Sequence, residues 1–257
     1  MNKYERKLKA EEHVKHMEKE LSNEIIKCVE SSKIYGENEF DDYTPSGNCN
    51  TKVILAGLDT TTALFKLNKT DSVALLNFAS YKNPGGRFLE GSIAQEEAIC
   101  HESALYNILS NERFYREFYT PNKKRLNKGL YHSNMIYTPK VPFIKDNKIL
   151  KCDVITCAAP NKRVATGYQR LPEEYVNTAM KHRIRSILAS ANVNSIDYLI
   201  LGAYGCGVFR NNPSGVSSIF RELLAGEFSG AFKCVIFAIP NKDSRNYREF
   251  KEVLSRK

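Results

Sequence analysis

Residues 83–97 read NPGGRFLEGSIAQEE. Gly85 and Gly86 supply backbone that can turn where other residues cannot and can approach a ligand closely. Arg87 supplies a cation, and Gln95, Glu96 and Glu97 end the stretch with an amide and two carboxylates. Three arrangements use that mixture: a phosphate cradle with an acid beside it, a metal site, or a plain loop running into a helix. A helical pattern begins at Ala94, so both glutamates fall in a first turn, where the helix dipole alone favours acidic side chains. Successive helical residues point about 100° apart. The two carboxylates are therefore not expected to flank one bond as the paired acids of most glycosidases do. One would address a reacting centre and the other would orient the substrate. His101 follows Glu97 by four residues, yet no further His or Asp completes a ligand spacing, so no metal is expected.

A second glycine loop, GAYGCGVF, occupies residues 202–209. Gly205 and Gly207 would let neighbouring N–H groups turn towards one point, and such concavities bind phosphate oxygens. A helical pattern starting near Pro213 would add its positive N-terminal end. The loop lacks the Gly-Lys-Ser/Thr ending of a triphosphate-binding P-loop and the spacing of a dinucleotide fingerprint. Two structural turns are the plain alternative.

The elements that must hold these loops follow from hydrophobic rhythm. Short β-rich runs occur at 52–56, 72–78, 153–157, 197–201 and 233–239, with helical patterns at 59–67, 94–110, 172–191, 213–225 and 243–255 between and after them. Asp59 and Pro213 are helix-start signals. Strands alternating with helices predict an α/β sheet covered by helices, and continuously apolar strands predict that they are central. Both glycine loops then follow strands, on the edge where open α/β sheets bind ligands. An N-terminal helix is expected over residues 3–30, with Leu8, Val14, Met17, Leu21, Ile25 and Val29 on its apolar side. Residues 36–50 are polar and rich in turn formers and read as a linker. Residues 114–129 are aromatic and basic, and residues 131–149 suggest edge strands or a hairpin.

The chain has 257 residues, 42% of them hydrophobic, and a formal net charge of +9. That supports a sizeable core and an attraction to phosphate-rich partners. No apolar run approaches the about 18 residues of a membrane span, and no signal-peptide core is present. Seven scattered cysteines without a CxxC pair point to buried thiols in a reducing, intracellular setting. The cytoplasm is the expected compartment, with the nucleus left open.

The runs NFASYKNPGGRFLEGSIAQEE and LGAYGCGVF together resemble the microbial type of poly(ADP-ribose) glycohydrolase. The resemblance extends to MIYTPKVPFI, VITCAAPN and VIFAIPN and covers roughly residues 51–257. It implies a macrodomain, a three-layer α/β/α fold with a mixed central sheet, preceded by residues 1–50 as an accessory helix and linker packed on it. It also implies hydrolysis of the ribose–ribose O-glycosidic bond of poly(ADP-ribose) without a cofactor. By the same resemblance Glu97 is the catalytic acid and base, and Glu96 holds ribose hydroxyls. Gln95 begins the signature, and Asn83, Gly85 and Gly86 shape the loop around the distal ribose. Gly205, Cys206, Gly207 and Val208 offer backbone donors to the diphosphate, and Phe209 packs near the distal ribose. The family's third glycine is Arg87 here, which would reshape the loop if the position required φ > 0. Arg87 would then reach phosphates, meet an acidic target or obstruct the polymer. The expected partner is ADP-ribose or its polymer on modified proteins, bound by a monomer away from membranes. A mono-ADP-ribosyl hydrolase acting on protein or nucleic acid, and a non-catalytic ADP-ribose-binding module, are the alternatives.

Overall fold

The computed structural model describes residues 1–67 and 72–256. Among them, seven strands form one mixed sheet: β1 (Lys33–Tyr35), β2 (Lys52–Ala56), β3 (Val73–Phe78), β4 (Met135–Lys145), β5 (Lys148–Cys157), β6 (Tyr198–Leu201) and β7 (Cys234–Ala238). Their order is β1-β4-β5-β3-β6-β7-β2. All the strands expected from sequence are present, the run at 153–157 as the second half of β5. β4 and β5 make a hairpin, turned by Asp146 and Asn147 at φ 48° and 60°, the left-handed pair that a two-residue hairpin loop needs. β4 is not an edge, because β1 pairs antiparallel along its outer side.

Strand parity sorts the core into two layers. Ala74, Leu76, Leu199, Leu201, Val235 and Phe237 face one way and pack against three helices. These are α7 (Glu173–Val193), α8 (Pro213–Ala225) and α9 (Arg245–Leu254). Val73, Leu75, Val154, Ile200 and Ala238 face the other way. There they meet α1 (Lys3–Ser31), α2 (Thr60–Leu67), α3 (Gln95–His101), α4 (Leu105–Leu109) and a helical run built from α5 (Glu112–Phe114), a π turn (Tyr115–Tyr119) and α6 (Thr120–Lys124). The result is the expected three-layer α/β/α sandwich. Among the described residues no helix is long and apolar enough to cross a membrane.

Two expectations need correction. The helix expected over 94–110 is broken, because residues 102–104 dock on β4 by backbone bonds. Ile144 N donates to Glu102 O at 2.8 Å, and Ala104 N donates to Pro142 O at 3.1 Å. Leu8, expected on the apolar side of α1, is 40% exposed, whereas Met17, Leu21, Ile25 and Val29 are buried. α1 departs from helical geometry at Leu21 (φ −129°, ψ 23°), which lets its two halves follow the surface differently. Within residues 114–129, Phe114, Phe118 and Tyr119 are core, whereas Tyr115 is 37% exposed. Arg113, on the same run, donates to Val29 O and Ser32 O and so caps the C-terminal end of α1.

Candidate active site

β3 lies between β5 and β6 and runs parallel to both, with Leu75 opposite Val154 and Ile200. The ends of all three strands emerge side by side, so both glycine loops and the segment after Cys157 leave the sheet together. A ligand crevice belongs at such a place.

α3 is aimed at this crevice by Gln95. Its Oε1 accepts from Phe78 N at 2.8 Å, while its Nε2 donates to Leu76 O at 2.8 Å and Thr60 Oγ1 at 3.1 Å. Both ends of the amide are thus engaged within the protein, and Gln95 clamps the helix start to the end of β3. Glu96 and Glu97 follow, 3% and 5% exposed. Glu96 Oε2 accepts from Ser80 N at 2.7 Å and its Oε1 from Asn77 Nδ2 at 3.2 Å. Burial, reinforced by the charge of Glu97 and opposed by the bonds from Ser80 and Asn77, pushes the Glu96 carboxyl up to about 8. Glu97 Oε1 accepts from Arg87 N at 2.9 Å. Its Oε2 is buried and has no hydrogen-bond partner.

The glycine pair covers these acids. Gly85 and Gly86 both sit at φ 62°. A Cβ on Gly86 would stand 2.6 Å from Glu97 Oε1 and 2.8 Å from Glu96 Oε2. The two carboxyl groups therefore meet under one glycine, contrary to the divergence expected from helix geometry. The two methylenes of each glutamate side chain are long enough to undo the angle between their Cβ bonds. A Cβ on Gly85 would stand 2.6 Å from the Tyr106 ring. Asn83 is exposed, and its carbonyl accepts from Gly86 N at 3.1 Å to close the turn. Arg87 has φ −116° and ψ 34°, so its position does not need glycine. Its side chain turns outward to an exposed ion pair with Glu90, Nε to Oε2 2.8 Å.

In the second loop Gly205 sits at φ 71°, and a Cβ there would meet Ala159 Cβ and Asn211 Nδ2 at 2.7 Å. Asn211 Nδ2 bonds Gly205 O at 3.0 Å and Pro160 O at 2.8 Å, locking the loop to the end of β5. Cys206 N is taken up by Ala203 O at 3.1 Å. The N–H groups of Gly207, Val208 and Phe209 meet no acceptor among the described residues. Gly207 borders open space, and Val208 is 69% exposed. These three consecutive donors precede the N-cap of α8, Asn212. The Phe209 ring meets Tyr131 edge-on, and Tyr131 stacks on Tyr81 of the first loop at 4.3 Å, so aromatic contacts tie the two loops together.

Several contributors were not anticipated. Asn77 was foreshadowed by being the one polar side chain in the buried run VALLNF. Arg183 lies on the apolar stripe of α7 beside Met180 and Ile184 and is 1% exposed. It donates to Ala158 O, Leu130 O and Ser133 Oγ, pinning the segments beneath Tyr131 and beyond β5. A charged residue inside an apolar stripe was its signal. Tyr81 and Tyr131 carried none. Among the described residues no cluster of His, Cys, Asp or Glu could hold a metal ion.

Comparison with known proteins places this geometry. Residues 5–146 match the model of the microbial-type PARG catalytic domain, PARG being poly(ADP-ribose) glycohydrolase. The crystal structure of the enzyme from Thermomonospora curvata is 29% identical, with a TM-score of 0.87 over 97% of this chain and 99% of that one. The same enzyme bound to the inhibitor ADP-HPD gives a TM-score of 0.86 at the same identity and coverage. The enzyme from Deinococcus radiodurans in complex with ADP-ribose is 33% identical, with a TM-score of 0.80 over 90% of this chain and 97% of that one. No curated protein sequence matches.

Proposed function

We propose a reaction for this chain from one premise: it belongs to the microbial-type poly(ADP-ribose) glycohydrolase family. It is a glycosidase that hydrolyses the ribose–ribose O-glycosidic bond of poly(ADP-ribose) and releases ADP-ribose, on a scaffold we take as a macrodomain. The observation that carries the assignment of roles is the Glu97 carboxyl. One oxygen is pinned by Arg87 N–H, and the other is buried without a hydrogen-bond partner, which leaves it to carry the proton.

In this reading Glu97, protonated, gives its proton to the bridging oxygen as the bond from the distal C1″ to that oxygen breaks. The bonding pair leaves with the oxygen, which becomes a hydroxyl on the shortened chain. The oxocarbenium-like C1″ is attacked by water, and Glu97 takes the proton that water sheds, which restores the acid. Glu96 keeps its own proton at neutral pH because of burial, so it can both donate to and accept from a ribose hydroxyl. Gly85 and Gly86 bring backbone close to the distal ribose. The N–H groups of Gly207, Val208 and Phe209 take the diphosphate oxygens, and fixed dipoles hold the reacting sugar in place without reorganising. Gln95, Asn77 and Asn211 position these groups.

The test is ADP-ribose release from three substrates: automodified polymerase carrying polymer, mono-ADP-ribosylated protein and mono-ADP-ribosylated DNA. Release from polymer at a rate well above the other two is expected. Preferential release from a mono-modified substrate would transfer the activity to that bond. Tight ADP-ribose binding without release from any of them would make the chain a binding module.

A further inference from the structure

Arg87 and Lys123 flank a cleft of about 190 Å³ on the outer side of the glycine loop, lined also by Gly86, Glu90, Tyr106 and Tyr115. Gly86 is the residue under which both carboxylates meet, and Arg87 N–H holds Glu97. A group in this cleft is thus one residue from the proposed acid. No residue of the second glycine loop lines the cleft, so it lies apart from the donors proposed for the diphosphate of the transferred ADP-ribose.

We propose that this cleft is a subsite for the departing side of the polymer, taking a phosphate of the neighbouring ADP-ribose unit on Arg87 and Lys123 with its adenosine against Tyr115. The proposal rests on the glycohydrolase reading and sharpens it to a preference for chains over single units. The chemistry fits the ligand. Two cations beside an accessible ring match a repeat of phosphates and purines. Tyr115 is 37% exposed, and Tyr106 supports the loop from below, its ring 5.2 Å from Phe88. Among the described residues the Arg87 guanidinium is engaged only by Glu90, in a pair whose side chains are 64% and 55% exposed. Exposed pairs of this kind hold weakly, so a phosphate can displace Glu90. Glu90 then acts as a built-in competitor, which gives the proposal a prediction of each sign.

The experiment measures affinity for defined-length poly(ADP-ribose) and for free ADP-ribose in a Glu97→Gln background. Arg87→Ala combined with Lys123→Ala is expected to lower the ratio of polymer to ADP-ribose affinity about tenfold, since charge-assisted phosphate contacts are lost. Glu90→Gln is expected to raise that ratio about threefold by releasing Arg87. All three side chains are on the surface, and thermal melts verify that the variants fold. A ratio unchanged in both variants, an equal weakening of both ligands, or no polymer binding by the parent would each overturn the proposal. Turnover is read separately: failure of the wild-type chain to release ADP-ribose from polymer would remove the glycohydrolase reading, while the affinity ratio would still decide the cleft.

Discussion

At the scale of single residues, the site rests on a glycine and an arginine in adjacent positions with opposite demands. Gly86 needs to be glycine twice over, for its φ of 62° and for the carboxylate oxygens at 2.6 and 2.8 Å from any Cβ. Gly86→Ala is expected to lower kcat at least about a hundredfold and stability by about 1–3 kcal/mol, read from polymer turnover and denaturant melts. Arg87→Gly, at φ −116°, is expected to leave the loop folded and change stability by no more than about 1 kcal/mol. Glu96 gives a pH signature. It keeps its proton up to about 8 when folded but loses it near 4.5 when unfolded. Between those values the folded state binds more protons, so this contribution to stability declines as pH rises from about 4.5 to about 8 and is gone above that. Glu96→Gln should flatten that part of the stability profile, and a variant with the wild-type slope would place the proton elsewhere. The glutamates and glycines of this site were legible in sequence because their chemistry is local. Asn77 and Arg183 were recognisable only as polar breaks in apolar patterns, since their targets lie on other strands and loops.

At the scale of elements, α1 acts as a strap across the layer that carries α3. Its N-terminal end sits on Gly91, whose carbonyl accepts from Arg6 Nε at 2.7 Å, just past the glycine loop. Its middle is held by Asn107 Nδ2 on Val14 O at 3.0 Å, and its C-terminal carbonyls are capped by Arg113. Arg113→Ala removes that cap and is expected to cost about 1–2 kcal/mol in a chemical melt, with ADP-ribose affinity little changed. The sequence pattern showed α1 through its spacing of Met17, Leu21, Ile25 and Val29. It did not show β1, whose three residues are too few to display a period. Nor did it show the break after His101. Nothing in residues 94–110 opposes a helix; the interruption comes from β4, which offers the Pro142 carbonyl and the Ile144 amide to residues 102–104. Residues 36–50 look like a linker by composition, yet α7 holds part of them through Arg185, which donates to Phe40 O and Tyr43 O, and through Asn192 on Ser46. Long-range bonds of this sort leave no local trace.

At the scale of the whole molecule, a seven-stranded mixed sheet separates two helical layers and presents three parallel strand ends to one crevice. The layers were readable in advance, because continuous apolar strands imply burial on both faces and parity then divides their side chains. The convergence of the two loops was readable only as far as both follow strands; their adjacency depends on β3 pairing with β6, a contact between residues far apart in sequence. The net charge of +9 acts over the same scale. Raising ionic strength from about 0.05 to about 0.5 M should raise KM for the polymer several-fold through screening while leaving kcat nearly constant. A salt-independent KM would show that the charge takes no part in capture. The central claim is that a single carboxyl, with one oxygen held by Arg87 N–H and the other free, moves the proton. It is tested most directly by the rate of ADP-ribose release from poly(ADP-ribose) with wild-type and Glu97→Gln protein at equal substrate occupancy. The expected result is release by the wild type and a loss of about a thousandfold in the variant with ADP-ribose affinity preserved. Equal release by both proteins would contradict it.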